Sequence, residues 1–263
     1  MSPPSGQRHA EQPARLLPSF AVVIPMFNEE AGAEACVRRV CAELLKLPHR
    51  TRLIVVNDGS RDHTGEILSR LAASEPRLLP IAHAGNRGYG AALHTGAARA
   101  CQEGLDYVLF MDSDLTNDPA DIPRFAAAME RGYEVIKATR YSQGGSVAGV
   151  PAYRVWISRV GNAVARLLFR LPVRDCTNGF RAIRTALLMR MDLKENRFPV
   201  ILEELYWSKY LARTYGEVPV TLTNRSAGQR PTSFAYRPTV FWSYLRYPLQ
   251  ACIGLKPERR KKP

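Results

Sequence analysis

Short runs of β-branched and aromatic residues recur through the first half of the chain, each followed by a stretch whose apolar residues return at helical spacing. SFAVVIP (19–25), RLIVVND (52–58), LLPIAH (78–83), DYVLFMD (106–112) and YEVIKAT (133–139) are almost continuously hydrophobic. Strands of this kind are buried on both faces, as in a mostly parallel sheet covered by helices. Helical patterns occupy 30–46, 64–74, 88–103 and 119–131, and Pro119 and Asp121 suit the start of the last. This alternation predicts an α/β, doubly wound, mostly parallel sheet flanked by helices.

Beyond residue 140 the pattern changes. SQGGSVAGVP (142–151) reads as a glycine-rich loop. Tyr153 to Arg170 reads as an amphipathic helix with Arg159, Arg166 and Arg170 on one face. Helices near 184–191 and 200–215 precede a strand at EVPVTLTN (217–224). The terminal segment interleaves Phe234, Tyr236, Phe241, Trp242, Tyr244 and Tyr247 with basic residues. Within it, Val240, Phe241, Tyr244, Leu245 and Leu249 predict the apolar stripe of a short amphipathic helix, bent at its end by Pro248.

At 263 residues, 46% hydrophobic and 23% charged, the chain is long enough for a full globular core. The formal net charge is +13, and its location matters more than its size. Residues 135–174 hold seven basic residues and no acid, and residues 223–263 hold nine basic residues and one acid. The rest is close to balance. Aromatics beside cations suit a surface that rests at the headgroup level of anionic lipid. No uncharged stretch reaches the ~18 residues a spanning helix requires. MSPPSGQRHAEQPAR has no apolar signal core and reads as a disordered leader. Five cysteines without a C-x-x-C pair point to reduced, buried thiols in a cytosolic protein. The five histidines, His9, His49, His63, His83 and His94, show no ligand or base spacing and read as surface or packing residues.

Ligands of an open α/β sheet bind beyond the carboxyl ends of its strands. The first strand ends in Pro25-Met26-Phe27-Asn28-Glu29-Glu30, the second in Asn57-Asp58-Gly59-Ser60 and the fourth in Asp112-Ser113-Asp114. Carboxylates gathered on one edge repel one another unless a cation joins them. Alternate residues at a strand end can aim two oxygen ligands at one hard divalent ion, which suits a diphosphate. In GNRGYGAALHTGAARA (85–100) the dinucleotide fingerprint is incomplete, because Leu93 stands where a third glycine belongs. Gly88 and Gly90 there instead allow close approach of a neighbouring segment or a ligand at a helix start. Glu203 and Glu204 read as a solvated helix face, with an acceptor-side role as the alternative.

The ordered series VVIPMFNEE, VVNDGSRDHT, GNRGYGAALHTG, FMDSDLTNDP, ATRY and DCTNGFRAIR resembles the family-2 glycosyltransferases of GT-A fold. It is most similar to their dolichol-phosphate mannose synthase, or polyprenyl-phosphate glycosyltransferase, branch. The resemblance runs from about Phe20 to about Gly228. It implies a GT-A catalytic domain over 18–230, a leader over 1–17 and a membrane-associating segment over 231–263. It implies transfer of a hexose, with inversion, from a nucleotide-diphosphate sugar to a polyprenyl phosphate on the cytoplasmic face of a membrane. A membrane-anchoring subunit is a further possible partner, and nucleic acid is not expected.

By the same resemblance, Pro25, Phe27, Asn28, Glu29, Asp58 and Gly59 would hold the base and ribose, with Asn86 and Gly88 beside the donor. Asp112, Ser113 and Asp114 would meet the diphosphate, the two aspartates through Mg²⁺ or Mn²⁺. Arg140 and Arg225 would supply positive charge to the phosphates. Asn178, Gly179 and Phe180 match a turn beneath the acceptor site. Two positions depart from the family pattern: Thr116 stands where glutamine is usual, and Arg230-Pro231 where Ser-Lys is usual. The second departure keeps open an alternative, the same donor chemistry onto a saccharide or another soluble acceptor.

Overall fold

The computed structural model describes residues 16–223 and 238–259. Five expected strands appear as β1 (Phe20–Met26), β2 (Thr51–Asn57), β3 (Leu78–Ala82), β4 (Tyr107–Phe110) and β5 (Val135–Thr139). Between them lie α1 (Ala33–Leu45), α2 (Thr64–Ala72), α3 (Tyr89–Gln102) and α4 (Ile122–Glu130), the last entered through a 3₁₀ turn at Pro119–Asp121. Asp118 caps that turn by accepting the Ala120 N–H at 3.0 Å. The strands are buried on both faces, so one apolar cluster packs α1, α2 and α4 beneath the sheet and another packs α3 above it.

The second half differs from the sequence expectation in informative ways. A two-residue strand, β6 (Ser146–Val147), precedes α5 (Ala152–Phe169). β7 (Arg181–Arg184) and the short α6 (Thr185–Leu188) replace the single helix expected near 184–191. α7 (Val200–Leu211) ends before β8 (Tyr215–Pro219), which starts earlier than the strand expected at 217–224. β9 (Thr221–Leu222) pairs with β6 as a small separate sheet, and α8 (Pro238–Cys252) closes the fold. Thus the glycine-rich segment called a loop contains a strand. RAIR gives no strand signal because it carries a charge at each end, although three of its four residues are buried.

The main sheet runs β3-β2-β1-β4-β7-β5-β8. β7 alone is antiparallel to its neighbours β4 and β5. Two consequences fix the site. The order reverses at β1, with β2 on one side and β4 on the other, so a crevice opens where their carboxyl ends diverge. Because β7 runs the opposite way, the turn that enters it, residues 175–180, reaches that same edge. A third apolar cluster joins α5, α7 and α8 through Phe169, Leu205, Tyr206 and Tyr247. Three cysteines, Cys36, Cys41 and Cys176, are buried as expected; Cys101 is half-buried and Cys252 exposed, contrary to that expectation, and all are free thiols.

Candidate functional site

The loop after β1 is stitched to the loop after β2. The Asn28 N–H donates to Ser60 Oγ at 2.9 Å, Asn28 Oδ1 accepts the Arg61 N–H at 2.9 Å, and the Glu29 N–H donates to Thr64 Oγ1 at 2.9 Å. Asn28 sits at φ 54°, a left-handed conformation that a small polar residue tolerates. Pro25 lies within β1 opposite Val56, and Phe27 is half-buried at the strand's end. Asp58 is buried and fully engaged. Its Oδ1 faces His83 Nδ1 at 2.7 Å and accepts the Arg87 N–H at 2.9 Å, while Oδ2 accepts the Gly88 N–H at 2.8 Å. His83 Nε2 continues to Thr95 Oγ1 at 2.9 Å. His83 is therefore part of a buried polar chain and not a simple packing residue.

Asp58 thereby fixes the 83–88 loop, and Gly59 lies against the backbone of Gly85 in that loop. Asn86 is exposed on the loop. Gly88 has φ 102°, and a Cβ there would stand 2.3 Å from the Asn196 carbonyl oxygen. The glycine is required because the 195–196 segment approaches the start of α3, where the Gly90 N–H donates to that same carbonyl at 2.9 Å. The expectation of close backbone approach is met by protein.

At the end of β4, Asp112 Oδ1 accepts the Tyr89 hydroxyl at 2.9 Å, and the Tyr89 ring stacks on Phe198 with centroids 4.7 Å apart. Burial, with the Asp112 charge beside it, pushes the Tyr89 phenol well above its usual range, so it stays a donor. Ser113 and Asp114 are buried. Asp114 Oδ1 accepts both the Thr116 N–H at 3.1 Å and the Thr116 hydroxyl at 2.8 Å. The threonine that departs from the family pattern thus orients the second aspartate. Leu115 between them adopts φ 56°, a strained conformation for a branched residue, of a kind concentrated at ligand clamps.

The turn entering β7 closes the third side. A Cβ on Gly179 would lie 2.9 Å from Asp112 Oδ2 and 3.2 Å from the Tyr89 hydroxyl, so any larger residue would push the aspartate from its place. Two buried cations hold this turn: Lys137 Nζ donates to the Asn178 carbonyl at 2.7 Å, and Arg181 Nη1 donates to the Gly179 carbonyl at 2.6 Å. Arg181 also forms a buried two-point ion pair with Glu204 and stacks over Phe110 at 4.5 Å. Desolvation works against the Arg181 charge, but Glu204 holds its pKa above the usual value. Arg140 forks onto Asp175, Nε at 2.6 Å and Nη2 at 2.9 Å, with Nη2 also donating to Thr177 at 3.1 Å. Burial opposes the charge of Asp175, yet Arg140 keeps the carboxyl below its usual range. Arg140 Nη1 makes no hydrogen bond among the described residues, and Arg140 lines two cavities.

From Asp112, Arg140 and Gly179 a cavity of about 500 Å³ runs between α5, α7 and α8. Those three residues make part of its lining polar; the walls are otherwise apolar, built from Val160, Val164, Leu202, Tyr244, Leu245 and Pro248. Asn162 docks α5 onto the turn, its Oδ1 accepting the Cys176 N–H at 2.7 Å.

A sequence model of Glycosyl transferase family 2 matches residues 21–191 of this chain. The chain belongs to glycosyl transferase family 2. Polyprenol monophosphomannose synthase of Mycolicibacterium smegmatis is 30% identical over 232 residues, covering 84% of this chain and 84% of that protein. Dolichol-phosphate mannosyltransferase of Pyrococcus furiosus is 30% identical over 86% of this chain and 62% of its own length. Undecaprenyl-phosphate 4-deoxy-4-formamido-L-arabinose transferase of Pseudomonas savastanoi is 34% identical over 65% of this chain, which spans 49% of that protein. Among solved structures, glucosyl-3-phosphoglycerate synthase from Mycobacterium tuberculosis, in complex with Mn²⁺, UDP and glucosyl-3-phosphoglycerate, superposes with TM-score 0.63 at 21% identity. It covers 92% of this chain and 81% of its own, and shows the shared fold.

The carboxyl ends of β1, β2, β4 and β5 thus carry Asn28, Asp58, Asp112, Asp114 and Arg140 on one edge of the sheet. Arg225, Gly228, Arg230 and Pro231 lie outside the described residues. Among the described residues no group of three or more His, Cys, Asp or Glu is disposed to hold a metal. The two aspartates nevertheless offer oxygen donors of the type hard divalent ions prefer, with the remaining positions left to phosphate and water. Glu203 and Glu204 require correction: both are buried. Glu203 accepts the Lys194 and Glu195 N–H groups at 2.9 Å and Glu204 pairs with Arg181. Their neighbours, Leu202 and Leu205, leave no helical stripe to read, since nine consecutive positions of α7 from Val200 are buried.

Proposed function

We propose that this chain transfers a hexose, with inversion, from a nucleotide-diphosphate sugar to a polyprenyl phosphate. The observation that carries the reading is the cavity whose lining joins a polar group at Asp112, Arg140 and Gly179 to apolar walls between α5, α7 and α8. A phosphate with a long hydrocarbon tail matches that change of character, and a saccharide does not. The named acceptors of the mycolicibacterial, pyrococcal and pseudomonad relatives are of this class.

In this reading the crevice between β1 and β4 receives the nucleotide. Asn28, Glu29 and the Asp58-fixed loop shape its base-and-ribose end. Asp112 and Asp114 would hold Mg²⁺ or Mn²⁺, which supplies Lewis-acid stabilisation of the departing diphosphate. Arg140, kept charged and oriented by Asp175, presents Nη1 to the acceptor phosphate, and Arg225 adds a second cation. An acceptor phosphate is already ionised at neutral pH, so direct attack on the anomeric carbon with inversion needs no strong base. α5 exposes Tyr153, Trp156, Val160, Val164 and Leu167, an apolar stripe suited to lying on an anionic membrane surface beside the cavity. Among the described residues no helix is long and apolar enough to cross a membrane.

The test is transfer from labelled UDP- and GDP-hexoses to polyprenyl phosphate, to a saccharide and to water, with Mn²⁺ and with chelator. Transfer to the lipid phosphate alone, lost in chelator and in Asp114→Ala, is expected. Equal turnover on the saccharide would replace the acceptor assignment, and undiminished turnover in chelator would remove the metal.

A further inference from the structure

Arg140 is a wall between two cavities. On the side away from the apolar channel lies a second cavity of about 460 Å³, lined by Arg140, Tyr141, Ser142, Arg159, Arg166 and Arg174 among others. We infer that this cavity is a second phosphate-binding subsite, separate from the aspartate-bearing edge, that takes a phosphate ester such as an anionic lipid head group or a free phosphate.

Charge and its compensation support the inference. Residues 135–174 contain no acid, and four of their seven cations line this one cavity. Of the nearby carboxylates, Asp175 is spent on Arg140. Glu217 accepts the backbone N–H of Arg174 and acts on the Arg174 and Arg166 charges only through space, with no ion pair to either guanidinium. Arg159, Arg166 and Arg174 make no ion pair among the described residues. Like charges gathered in a concave site repel one another unless an anion enters.

Local geometry organises them further. The Tyr141 ring has the Arg140 guanidinium at 5.0 Å and that of Arg159 at 6.0 Å, while its hydroxyl donates to Ser158 Oγ at 2.8 Å. The ring therefore lies within cation–π range of two guanidinia. Arg159 and Arg166 stand two turns apart on the same face of α5, and Arg174 faces them from the segment that follows. Ser142 contributes a buried hydroxyl that has no hydrogen-bond partner. Guanidinium forks match phosphate oxygens, and a hydroxyl supplies a neutral donor. Trp156, Val160, Val164 and Leu167 expose an apolar stripe beside the arginines on the same helix, which places the cavity at headgroup depth if α5 meets a bilayer.

The test uses the full chain, Arg166→Gln/Arg174→Gln, and Arg170→Gln, which removes a charge outside the cavity from the left-handed residue that ends α5, just past the helix face on which the sequence expectation put it. Two probes separate the sources: inorganic phosphate by calorimetry, and vesicles of phosphatidylglycerol in phosphatidylcholine against phosphatidylcholine alone. Each lost charge-assisted contact weakens binding by about tenfold. The double variant is expected to lose at least that much, and Arg170→Gln less than about threefold. A loss confined to vesicles identifies a lipid head group; a loss in the inorganic phosphate arm identifies a soluble phosphate ester. Unchanged binding by the double variant, equal weakening by Arg170→Gln, or no binding of either probe by the parent chain overturns the subsite. Hexose transfer in detergent, run alongside, reports on the transfer reading separately: its absence with intact, arginine-dependent phosphate binding leaves the subsite standing.

Discussion

Replacing Gly179 with alanine tests the placement of Asp112 more directly than removing the aspartate. The added Cβ would stand 2.9 Å from Asp112 Oδ2, 3.2 Å from the Tyr89 hydroxyl and 3.4 Å from Asp112 Oδ1. Only the last is an ordinary contact, so Asp112 must retreat by about 0.5 Å or turn about its own torsions. Both crowded atoms belong to side-chain ends, and Gly179 does not occupy the left-handed region. The fold can therefore accept the methyl at about 1 kcal/mol, a fall in Tm of about 2–4 °C. The reaction cannot accept it so easily. A misplacement of about 1 Å at a reacting centre costs on the order of a hundredfold, so a shift of about 0.5 Å should lower kcat by roughly tenfold or more. Initial rates of hexose transfer at saturating Mn²⁺ and donor, paired with thermal melts, read the two effects apart. Gly179→Ala retaining more than about half the parent rate, with its fold intact, would refute the claim that the turn sets Asp112.

Other perturbations probe what lies beneath the edge. Glu204→Leu strands the buried Arg181 charge and should cost about 3–5 kcal/mol, or about 6–20 °C in Tm. Arg181→Met/Glu204→Leu should recover most of it, and a double variant no more stable than the single in denaturant melts would contradict the pairing. Burial, then the charge of Arg181, pulls Lys137 from 10.5 down to about 8, so between those pH values the unfolded chain holds a proton that the fold has released. Stability relative to Lys137→Met should therefore rise by about 3 kcal/mol as pH climbs through that window, and a pH-independent difference in urea melts would exclude a buried ammonium. Asp58→Asn places an amide N–H against groups that now donate to both carboxylate oxygens. It should destabilise by about 1–3 kcal/mol and raise the KM for donor more than for acceptor; equal effects on both would detach the 83–88 loop from donor binding.

The legible part of this protein was local. Strands buried on both faces announce themselves as continuous apolar runs, and their last residues are adjacent in sequence to the chemistry they carry. Asn28, Asp58, Asp112 and Asp114 could thus be placed on one edge before any coordinates. Conversely, the groups that hold that edge in shape come from far along the chain. Asp58 meets His83, Arg140 meets Asp175, and Arg181 meets Glu204. A pairing across 20 or more residues leaves no periodic trace, and a buried glutamate looks like a solvated one until its arginine is found. β7 shows the same limit, since a strand of four residues with terminal arginines has no alternation to read.

The buried ion pairs are distributed in a way that stability alone does not explain. A buried pair is a weak stabiliser compared with well-packed apolar residues of the same volume. Here Arg181, Lys137 and Arg140 all act on residues 175–179, the segment between α5 and β7 that presses Gly179 onto Asp112. A polar network with fixed directions can hold backbone carbonyls in one geometry, whereas an apolar core tolerates sliding. The turn needs the former, because an aspartate that must meet a diphosphate has little positional freedom to spare. Arg181→Met/Glu204→Leu separates the two roles: it removes the donor to the Gly179 carbonyl while restoring stability. Transfer that remains tenfold or more below the parent rate in this stable protein would show that the pair serves position; full activity would show that packing alone suffices.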